Sequence, residues 1–107
     1  MAKYFSEKEI RGLDEKFVEL LDFAREVAGI PFVITEGLAS GGSHVANTAH
    51  SRGLAVDLRV HDGLSRMKII KSLLAVGFKR IGIYDRHVHV DIDDSLPQDV
   101  LWTGWSK

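Results

Sequence analysis

Two segments of the chain alternate polar and apolar residues, and that period suits a strand with two unlike faces. In residues 53–60, GLAVDLRV, one face carries Leu54, Val56, Leu58 and Val60. The other carries Gly53, Ala55, Asp57 and Arg59. In residues 87–93, HVHVDID, Val88, Val90 and Ile92 share a face opposite His87, His89, Asp91 and Asp93. If both strands belong to one sheet, the apolar faces meet a core and the polar faces point together to the other side. Asp57 can then be a cross-strand neighbour of His87 or His89, with Cβ atoms about 5 Å apart. Asp57 is also the puzzle, because an unpaired carboxylate in such a strand is expensive.

The remaining elements supply what the apolar faces need. Ser6 and Glu9 in FSEKE form a capping box for a short helix that Gly12 interrupts. LDEKFVELLDFAREVAG, residues 13–29, is an amphipathic helix with Asp14 near its start. Phe17, Leu20, Leu21, Ala24, Val27 and Ala28 recur on its apolar face, Gly29 stops it and Pro31 prevents its continuation. PFVITEG, residues 31–37, reads as a strand, and the Gly-, Ser- and Asn-rich residues 38–52 as a loop. GLSRMKIIKSLLAVG, residues 63–77, is a second main helix, capped by Asp62 and ended by Gly77. RIGIYD and HVHVDID are two strands joined by a tight turn near Asp85 and Arg86. The tail shows no period. Its Trp102 and Trp105 are expected to cover one end of the core, or else to rim a glycan or peptide site. The expectation is one α+β domain over residues 1–107: a small, mainly antiparallel sheet with helices on one face and a polar cleft on the other.

Composition narrows the chemistry. At 107 residues and a net charge of −1, the chain has no overall basic field for nucleic acid or an anionic membrane. No apolar run approaches the roughly 20 residues of a membrane span. The N-terminal MAKYFSEKEIRG lacks the apolar core of a signal peptide, so a cytoplasmic monomer is expected, reaching any outside substrate by release or export. There is no cysteine, so a metal would be held by histidine and carboxylate.

Those ligands are present. His50 precedes the first alternating strand, and the flexible Ser51-Arg52-Gly53 step can swing it over the sheet. Two imidazoles and one carboxylate that converge beside the small Gly53 and Ala55 make a catalytic zinc site with one position left for water. A zinc ion would also neutralise the Asp57 carboxylate. The competing reading is a solvated face on which Asp57 pairs with Arg52, Arg59 or Arg86 and the histidines are plain surface residues.

His50-Ser51-Arg52-Gly53-Leu54-Ala55-Val56-Asp57 has the form H-x-x-G-x-A-x-D, and His89-Val90-Asp91 the form H-V-D. Together they resemble the two zinc motifs of the D-alanyl-D-alanine carboxypeptidase and L-alanyl-D-glutamate endopeptidase metallopeptidases, which share a fold with the hedgehog signalling domain. VITEG at 33–37 and GFKRIGIYD at 77–85 resemble the elements that precede those motifs, in the same order. The resemblance implies zinc ligands His50, Asp57 and His89, and a peptidoglycan stem peptide as substrate. It implies a general base just before the last ligand, either Asp85 or His87. The candidate substrate-binding residues include Thr48, which matches the family's hydroxyl two residues before the first histidine, and His44, in the loop that leads into the site. The family's carboxylate-binding arginine after the first strand has no counterpart in Thr35-Glu36-Gly37-Leu38-Ala39-Ser40; Arg52 is the candidate substitute. That departure leaves room for a second reading, a non-catalytic, hedgehog-like zinc module that recognises a ligand or partner.

Overall fold

A computed structural model describes residues 2–36 and 52–104. Helix α1 (Glu7–Ile10) carries the expected capping box: Ser6 Oγ accepts from the Glu9 amide and Glu9 Oε1 accepts from the Ser6 amide. Helix α2 (Glu15–Ala28) starts at Asp14, whose side chain accepts from the Phe17 amide, and closes at a left-handed Gly29. Helix α3 (Gly63–Ala75) starts at Asp62, with Ser65 completing a second capping box. These caps satisfy amides that a helix leaves without partners.

Five strands form one mixed sheet in the order β1-β2-β4-β3-β5: β1 (Ile34–Glu36), β2 (Ala55–Arg59), β3 (Arg80–Ile83), β4 (His87–Asp91) and β5 (Val100–Thr103). Three pairings are antiparallel and β3–β5 is parallel. The first strand starts later than the expected residue 31, because Pro31 has no amide to donate, and its ladder bulges between Ile34 and Glu36. The β3–β4 turn falls at Asp85 and Arg86, closed by the Tyr84 amide on the His87 carbonyl at 3.0 Å. Arg66 of α3 clamps it, donating to the carbonyls of Tyr84 and Asp85. Strand β5 has no counterpart in the sequence reading. The chain enters it through Asp99 at φ 60°, a left-handed conformation that Asp tolerates better than most residues.

The core lies between the helices and one face of the sheet. Phe17, Leu21 and Ala24 of α2 and Ile69 and Leu73 of α3 cluster with Val56, Leu58, Ile81, Val88 and Val90. The alternation therefore points its apolar residues where expected. Each large side chain buried there contributes roughly 1.5–3 kcal/mol. Phe17 is fully buried and meets the Phe78 ring edge-on at 5.9 Å. On α2 the expected face is rotated slightly: Val18 is buried and Val27 is half exposed. No helix among the described residues is long and apolar enough to cross a membrane.

Candidate functional site

The two alternating strands are hydrogen-bonded neighbours, and their register sets the site. Asp57 lies opposite His89, Arg59 opposite His87 and Ala55 opposite Asp91. Gly82 of β3 flanks His89 on the far side, and Trp102 of β5 flanks Gly82. One row thus crosses the sheet as Asp57, His89, Gly82, Trp102.

The polar side chains of this row are in contact. His89 Nδ1 lies 3.1 Å from Asp57 Oδ1, and His89 Nε2 lies 2.7 Å from Asp91 Oδ2. His87 Nε2 stands 3.7 Å from Asp57 Oδ2. Asp57 is therefore faced by both strand histidines, which answers the question of its burial. Asp91 is in turn paired with the buried Arg80, whose Nε donates to Asp91 Oδ1 at 2.7 Å. The Asp93 amide donates to the same oxygen at 3.1 Å.

Burial alone would push His89 toward its neutral form, but hydrogen bonds to Asp57 and Asp91 and their charges outweigh it and raise its pKa to about 9. Asp91 moves the other way. Burial opposes its charge, yet bonds from His89, the Asp93 amide and Arg80 hold its carboxyl below the ordinary value.

Two aromatic rings wall this face. Tyr84 stacks on His87 with centroids 4.5 Å apart, and Trp102 tilts against His89 at 5.5 Å. The Trp102 indole N–H donates to Tyr84 Oη at 3.0 Å, which ties the rings together. Gly82 makes this possible, since a Cβ there would come within 2.6 Å of the indole. Trp102 therefore does not cap the core as the sequence reading expects. It lies on the opposite face of the sheet, because its register partner is that glycine.

Upstream, Gly53 turns the chain into β2 with φ 76°. A Cβ there would collide with the Gly12 carbonyl, and the Gly53 carbonyl accepts from the Asp14 amide at 2.9 Å. The entry to the Asp57 strand is thus pinned to the start of α2.

Of the other expected residues, Arg52 and Asp85 are described. Arg52 is engaged with the buried Asp93, Nη2 to Oδ2 at 2.5 Å. Asp93 is also held by the Ser95 hydroxyl and amide, and these bonds and Arg52 lower its pKa. Asp85 sits exposed at the β3–β4 turn. His44, Thr48, His50 and Trp105 lie outside the described residues. Among the described residues no three potential metal-ligating side chains are grouped as a complete metal site. Sequence reasoning passed over Arg80, Tyr84 and Gly82 and assigned no role to Asp91. Only Asp91 carried a usable signal, its place on the His87–His89 face.

No protein-family model, curated protein or solved structure matches the chain.

Proposed function

We propose that the chain is a zinc-dependent peptidase that hydrolyses an amide bond in peptidoglycan stem peptides. The observation that carries this reading is the meeting of Asp57 and His89, one from each motif, on the face of the sheet opposite the core. Their donor atoms suit zinc, a carboxylate oxygen and an imidazole nitrogen. His50 is the third ligand of the proposal. Bound zinc supplies a Lewis acid that acidifies water and polarises a carbonyl.

The chain's own residues do the rest. Asp57 and His89 hold the ion. His87, beside Asp57 and steadied by the stacked Tyr84 ring, takes the proton of the attacking water and returns it to the leaving amine nitrogen. Trp102 and Tyr84 supply an aromatic wall along which a substrate can lie. The non-catalytic zinc module is the second reading, favoured by the commitment of Arg52 to Asp93, which leaves the missing arginine clamp without an evident replacement.

Digestion of purified peptidoglycan by the zinc-loaded protein, followed by mass spectrometry, separates the two. Peptidase action releases stem-peptide fragments and stops on chelation. A folded, zinc-loaded protein that releases none sinks the enzymatic reading for this substrate and favours the module.

A further inference from the structure

We infer that Asp91, held by Arg80, is a positioning residue for His89: it fixes the ring so that Nε2 carries the proton and Nδ1 offers its lone pair beside Asp57. This role rests on the zinc reading above and assigns a task to an ion pair that reading does not use.

Both ring nitrogens of His89 face carboxylates, but the two contacts are unequal. Asp91 is the nearer at 2.7 Å and is almost wholly buried, whereas Asp57 stands at 3.1 Å on the more open side. Asp91 Oδ1 is taken by Arg80 Nε and the Asp93 amide. Oδ2 is the oxygen that meets His89. If Nε2 carried no hydrogen, two lone pairs would oppose each other at a buried site, leaving both acceptors unsatisfied. A neutral ring therefore keeps its proton on Nε2, and a metal-ligating histidine usually donates its second N–H in this way.

The support is built from several elements. Arg80 Nη1 donates to the Pro97 carbonyl at 2.7 Å, and its guanidinium lies 4.9 Å from the Trp102 ring centroid. Asp91 is thus anchored through Arg80 to the segment after β4 and to β5. Trp102 also rests against the His89 ring across Gly82. The ring is confined by Asp91 at one end and by the indole beside it.

Asp91→Asn tests the role without changing side-chain volume. The carbonyl oxygen of the introduced amide would keep the Arg80 and Asp93 donors, so its NH₂ would face His89 Nε2. Two donors cannot pair there, so the neutral ring must move its proton to Nδ1, against the metal position. Nitrogen-15 NMR of the histidine rings reads this directly. In the zinc-free wild type, at a pH where His89 is neutral, the Nε2–H form is expected. In Asp91→Asn the Nδ1–H form is expected, together with zinc affinity weakened about 10- to 100-fold. If the variant does not fold, the wild-type tautomer alone decides. A neutral wild-type ring in the Nδ1–H form overturns the role, as does a folded Asp91→Asn that keeps the Nε2–H ring and binds zinc within twofold of wild type. An Nε2–H ring in a wild type that binds no zinc supports control by Asp91 and overturns the zinc reading instead.

Discussion

His87→Ala is expected to lower the rate of stem-peptide release about 10²- to 10⁴-fold, the usual span for removing a general base. Zinc content should stay at the wild-type level, because His87 is placed beside the proposed ligand Asp57 rather than among the ligands. Its ring is set by two contacts, the Asp57 carboxylate at 3.7 Å and the stacked Tyr84 ring. Asp85 is the other candidate base. Its side chain is exposed at the turn, whereas His87 stands beside Asp57. Asp85→Ala should therefore retain activity within a few-fold of wild type. Steady-state rates on one defined stem peptide compare the pair. A larger loss in Asp85→Ala than in His87→Ala would hand the base role to Asp85.

The zinc-free protein should lose stability as pH rises from about 6.5 to above 9. The folded pKa of His89, about 9, lies above its ordinary value of 6.5. The imidazolium between Asp57 and Asp91 therefore stabilises the fold fully below about 6.5, and that contribution fades as pH climbs through about 9. At about 1.4 kcal/mol per pKa unit the swing is on the order of 3 kcal/mol. Urea unfolding of zinc-free wild type and His89→Ala across this range isolates the term, since other groups titrate alike in both. Equal pH profiles in the two proteins would contradict the arrangement. Zinc must displace the proton that His89 holds, so affinity should rise about tenfold per pH unit up to about 9. Proton and metal thus compete for His89 Nδ1 beside Asp57.

The helices and the central strands were legible because each rests on a local signal. Ser6 with Glu9, Asp14 and Asp62 are caps within a few residues of what they cap, and the period of two in β2 and β4 sorts their faces without knowledge of partners. The pairing of Asp57 with His89 could be anticipated for the same reason: both lie on polar faces, and only the register was open. Strand β5 was not legible. Its large apolar residues are not buried in the core, since Leu101 is exposed and Trp102 lies on the site's face. Nothing in VLWT says that it joins β3 in parallel. Gly82 reads as a loss of side chain in a strand until its neighbour is known, and Arg80 reads as a surface charge until Asp91 is placed beside it. These are long-range facts, decided by which strands become neighbours. The aromatic wall and the support behind His89 depend on them.

Metal analysis of the purified protein after zinc reconstitution and removal of excess ion tests the central claim most directly. One zinc per chain is expected in the wild type, and almost none in Asp57→Ala or His50→Ala. Zinc content unchanged in both folded variants would contradict the site.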